Sequence, residues 1–152
     1  MATLEELAPL VCARWKRLES QPGSAFGGEQ VEPSAAFESI HAYSRFLKIA
    51  GLHTRCDKKG FLFWPPNLVC FVEDLPHIPR GPLQSCAVFA DYMQESWHYG
   101  IWTQGRNIGQ VIPLWGSADW ESQPPLGTLE KFLQLYLDDA PALYPARPER
   151  VS

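Results

Sequence analysis

The spacing of apolar residues changes twice along this chain, and that change limits the folds open to it. Leu4, Leu7, Val11, Trp15 and Leu18 recur at helical spacing, as do Phe37, Ile40, Tyr43 or Ser44, and Leu47, with Phe46 widening the stripe. The helical period is then lost. Gly60-Phe61-Leu62-Phe63-Trp64, Cys86 to Met93, Trp97 to Trp102 and Ile108 to Trp115 are short apolar and aromatic runs bounded by turn residues, the pattern of strands. Helical spacing returns at Leu129, Phe132, Leu133, Tyr136 and Leu137. Helices, then strands with short connections, then a helix predict an α+β fold. Its core is a central, mainly antiparallel sheet with helices from both ends of the chain packed on it.

Local signals set the element boundaries. Thr3 with Glu6 forms a capping box before the first helix, and Ser20-Gln21-Pro22-Gly23-Ser24 stops it. A second helix is predicted from Pro33, tolerated in a first turn because its missing N–H would be unpaired there anyway, to Ala50, with Gly51 as its C-terminal cap. Pro65-Pro66 closes the first strand, and Leu68 to Val72 reads equally as a strand or a helical turn. Pro76, Pro79 and Pro82 make the next stretch a loop, and Gln104-Gly105-Arg106-Asn107 joins the last two strands as a hairpin turn. A loop from Gly116 to Gly127 leads to a last helix that Thr128 caps and Asp138-Asp139-Ala140-Pro141 ends. No repeat or linker interrupts this order, so residues 1–145 are expected to form one domain and residues 146–152 a frayed tail.

Composition excludes several classes. Of the 152 residues 45% are apolar and 20% charged, the balance of a globular chain rather than a disordered one, despite 14 prolines. The uncharged stretches are too short for a membrane span, and Met1 to Glu6 carries no basic start or apolar signal run, so a cytoplasmic protein is expected. A net charge of −4 with no basic stripe beyond Lys58-Lys59 disfavours nucleic acid, which needs cations to neutralise its phosphates. The same mildly acidic surface suits solubility, and it also suits a basic protein partner.

The residue types of common active sites are present without their motifs. His53 and Cys56 have a ligand-like spacing, but His41, His77 and His98 form no second close pair, so no metal is expected. Cys86 starts one strand and His98 lies on the next, which allows a thiol–imidazole meeting, yet no nucleophile motif surrounds either. The acids Glu73-Asp74, Asp91, Glu95, Asp119, Glu121 and Asp138-Asp139 fall into no local group. Asp91 stands apart because it lies inside an apolar strand, where it either has buried partners or faces outward. A Gly-x-x-x-x-Gly-Lys phosphate loop is missing, and no cofactor and no catalytic residue is expected.

Three blocks of the sequence together resemble the SUKH superfamily, which includes yeast cell-wall synthesis regulators and many bacterial immunity proteins. The first runs from Glu32-Pro33-Ser34 into Tyr43-Ser44-Arg45-Phe46-Leu47-Lys48-Ile49-Ala50-Gly51 and looks like the family's proline-started helix. The second, Val88-Phe89-Ala90-Asp91-Tyr92-Met93-Gln94-Glu95-Ser96-Trp97-His98-Tyr99-Gly100-Ile101, is similar to its paired central strands. The third, Thr128 to Asp138 with Leu143-Tyr144 following, is like its C-terminal helix. The resemblance spans roughly residues 30–145 and implies the family's α+β fold. It also implies a non-enzymatic role: an immunity protein that binds and occludes a cognate toxin or effector. It favours a structural or binding role for Asp91. A small hydrolase using a cysteine or carboxylate, and a regulatory scaffold without a toxin partner, are the rival readings.

The tryptophans indicate where such a partner would dock. Four of the six fall between Trp97 and Trp120. Strand alternation puts Trp97, Tyr99 and Ile101 on one face and His98 and Trp102 on the other, so a core on the first face leaves Trp102 outward. Trp115, Asp119, Trp120 and Glu121 follow in a segment without a burial pattern, and aromatic anchors beside charges are typical of protein contact patches. The expected partner-binding set is therefore Asp91, Trp102, Trp115, Asp119, Trp120 and Glu121.

The cysteines Cys12, Cys56, Cys70 and Cys86 show no paired motif, and all four are expected to be thiols. A thiol count on unfolded, non-reduced protein should find all four. Fewer, restored by reductant, would reveal a disulfide.

Overall fold

A computed structural model describes residues 2–17, 32–52, 60–75, 85–92, 97–114 and 124–143. Helix α1 (Leu4–Arg17) comes first, then a short α2 (Ala35–Glu38) and α3 (His41–Ala50). Five strands follow: β1 (Phe61–Phe63), β2 (Cys70–Phe71), β3 (Cys86–Tyr92), β4 (Trp97–Trp102) and β5 (Val111–Leu114). Helix α4 (Leu129–Leu137) follows the sheet. The sheet order is β1-β3-β4-β5, with every pairing antiparallel. Strand β2 pairs Cys70 and Phe71 with Val88 and Ala87, so it lies end to end with β1 along the same side of β3. The fold is α+β, as the changing period predicts.

The helix starts follow their capping residues. The Glu6 N–H donates to Thr3 Oγ1 at 3.2 Å, and the Lys131 N–H to Thr128 Oγ1 at 3.4 Å. The helix predicted from Pro33 to Ala50 is instead two. Ser34 is its N-cap, accepting from the Phe37 N–H at 3.1 Å. Ser34 also donates its own N–H to Pro66 O and its hydroxyl to Val69 O, which ties this start to the segment after β1. After one turn Ser39 bonds back to Ala36 O at 2.6 Å, and Ile40 leaves helical geometry at φ −117°, ψ 81°. Phe37, Ile40, Tyr43, Phe46 and Leu47 are nonetheless all buried, so the stripe was right and the continuity was not. Gly51 ends α3 at φ 82°, ψ 175°, a conformation open essentially to glycine alone.

Strand β5 is shorter than predicted. Its first expected residues belong to a wider turn, in which Gly105 and Gly109 both take positive φ and the Gly109 N–H closes onto Trp102 O at 2.8 Å. Ile108 is left 65% exposed there. The ambiguous stretch from Leu68 to Val72 is partly both readings: two residues of β2, then a 3-10 turn at Val72–Asp74.

One face of the sheet carries the helices through an aromatic cluster. Phe61 stands with ring centroids 5.2 Å from Tyr99 and 5.0 Å from Tyr136, and Phe63 stands 5.3 Å from Trp15, 5.7 Å from Phe46 and 5.1 Å from Tyr136. Strand β1 thereby touches α1, α3, α4 and β4 at once. Arg14 fastens α1 to α4 by bonding Asp139 and the Leu137 carbonyl, with its guanidinium 4.7 Å from the Tyr136 ring centroid.

The other face is buried too. Cross-strand pairing places Cys86 opposite Trp102 and Val88 opposite Gly100, and all four are enclosed. At Gly100 a Cβ would come 2.2 Å from Cys86 Sγ, a contact no real side chain makes. The missing side chain at Gly100 is what makes room for the thiol.

Gly100→Ala should therefore destabilise the fold by roughly 1–3 kcal/mol, the usual cost of overpacking a core. Urea unfolding of Gly100→Ala in the parent and in a Cys86→Ala background checks the cause. The penalty should shrink markedly when the thiol is gone, and an equal penalty in both would place the clash elsewhere.

Candidate functional site

The block that carries the family resemblance forms β3 and β4, and its register decides which chemistry-bearing groups meet. Asp91 stands directly opposite His98 on one side and Leu62 on the other. Both ionisable residues are buried, Asp91 at 2% and His98 at 1% exposure. The Trp64 indole N–H donates to Asp91 Oδ2 at 2.5 Å, and its ring meets the His98 ring edge-on at 5.7 Å. Trp64 is itself fixed, because its backbone N–H extends the ladder to Phe89 O and its carbonyl accepts from the Tyr43 hydroxyl at 2.6 Å. Of the two readings for Asp91, the buried one with partners is the one realised. An enclosed carboxylate held by an indole belongs to the core, so Asp91 leaves the partner-contact set.

Trp102 leaves it as well. At 2% exposure it lies inside the molecule, although it is on the sheet face opposite Tyr99 and Ile101. The expectation that it points outward assumed that an antiparallel sheet wets one face, and here both faces of β3 and β4 are covered. Trp97, expected in the core with Tyr99 and Ile101, is only partly buried at the start of β4, its ring 5.9 Å from that of Tyr92.

The thiol–imidazole meeting that the strand order allows does not occur, and His98 is buried rather than on the surface. Cys86 is opposite Trp102 at one end of the β3–β4 ladder, whereas His98 is opposite Asp91 near the other. Burial first, and the neighbouring Glu73 charge second, push the Cys86 thiol far above its ordinary range, so it stays protonated and unreactive in the folded chain. Among the described residues no three His, Cys, Asp or Glu side chains group as a metal site would require. His53, Cys56 and His77 lie outside those residues, as do Trp115, Asp119, Trp120 and Glu121.

Strand β5 ends at Leu114, which pairs with His98 at the same end of the sheet as Tyr92 and Trp97. Tyr92 and Trp97 are the aromatic pair at that end which sequence reasoning missed. Position was the available signal, since Trp97 opens its strand.

Parts of both sheet edges are occupied or enclosed. On β5 the Val111 N–H donates to Gly127 O and its carbonyl accepts from the Leu126 N–H, both at 2.7 Å, while Pro113 has no N–H to offer. On the other edge Phe61 and Phe63 of β1 are each 1% exposed, whereas Cys70 and Phe71 of β2 are partly exposed. Among the described residues no helix is long and apolar enough to cross a membrane. No protein-family model, no curated protein and no solved structure matches this chain.

The buried thiol makes a pH dependence with a definite sign. Folding raises the Cys86 pKa above its ordinary 9.0, so the folded state keeps a proton that the unfolded chain releases. Stability should hold at its full value below pH 9 and fall as pH rises beyond it, with buried Tyr43, also raised, adding to the fall above its ordinary 10.0. Denaturant titrations at stepped pH test this, and Cys86→Ala should flatten the decline between those two values. An unchanged slope in that variant would assign the alkaline loss to other groups.

Proposed function

We propose that this chain is a SUKH-like protein-binding module without catalytic activity, an immunity protein that works in the cytoplasm by binding and occluding a cognate toxin or effector. The observation that carries the reading is the state of two groups in the central strands that a rival hydrolase could use. Cys86 is enclosed and held protonated, and Asp91 is spent on the Trp64 indole inside the core. The residues of the resembling block thus serve as scaffold, which fits a protein whose function lies on its outer surface.

The mode of binding follows from the same packing. Both faces of β3 and β4 are buried, and Pro113 with the Val111–Gly127 bridge interrupts the β5 edge, so a partner meets side chains there rather than adding a strand. It meets the loops at the strand ends or the outer sides of the helices. With Asp91 and Trp102 removed, the proposed contact set is Trp115, Asp119, Trp120 and Glu121, which follow β5 in sequence and combine rings with acids. A partner with a basic surface suits those acids and the net charge of −4. No nucleic acid, membrane or cofactor takes part in this reading.

The protein encoded beside this one is the probe to test. Trp120→Ala should weaken that complex by roughly 2 kcal/mol or more, near thirtyfold in Kd, as removal of a central aromatic anchor does. Reversing the charges of Asp119 and Glu121 should mainly slow association, and more at low salt than at high. Calorimetry and stopped-flow binding read the two effects, with melting curves matching the parent required of each variant. Unaltered affinity in the triple variant would move the surface elsewhere, to exposed Glu73 and Asp74 first. Absence of any complex with the parent protein would count against the immunity reading itself.

A further inference from the structure

We draw no further inference here: the strongest candidate, the turn between β4 and β5 that exposes Ile108 beside Arg106, offers a single apolar side chain, and nothing in the structure shows what covers it.

Discussion

The three-residue strand β1 is the point on which the architecture turns. Phe61 and Phe63 project from the same face of it, and between them they contact rings from α1, α3, α4 and β4. Helices from the two ends of the chain share one core because these two rings bridge them. Removing a buried phenylalanine costs about 3–5 kcal/mol, about a fifth or more of the whole stability of an ordinary domain. The backbone secures the strand at its end, where the Trp64 N–H donates to Phe89 O at 2.8 Å before Pro65 and Pro66 stop the ladder.

The opposite side of the sheet obeys a tighter constraint of space and polarity. Gly100 leaves room for the Cys86 thiol, while Trp64 satisfies the Asp91 carboxylate beside His98. A buried carboxylate is tolerated when it is hydrogen-bonded and is costly when it is not, so Trp64 and Asp91 must be retained or replaced together. Cys86 and Asp91 are both enclosed, where a substrate does not reach them.

Burial of both faces and interruption of the β5 edge limit the backbone that another strand could pair with. Exposed strand edges invite pairing with any other edge, and here Pro113 and the Val111–Gly127 bridge remove that option on β5.

The amino-acid sequence alone determined the element order, the α+β class, the caps at Thr3 and Thr128, the stop at Gly51 and the buried stripes of α1, α3 and α4. Each of these depends on neighbours within four residues, and local spacing records such neighbours faithfully. The nearly unbroken apolar run Cys86-Ala87-Val88-Phe89-Ala90 also held the sign of a strand buried on both faces, which the alternation read in β4 obscured. Tertiary structure decided the rest. It tied the start of the second helix, at Ser34, to Pro66 and Val69, more than thirty positions away, in a segment that breaks at Ser39 and Ile40. It set the register that puts Asp91, not Cys86, opposite His98, and it covered Trp102. Register and second-face burial are properties of segments distant in sequence, and no local period carries them.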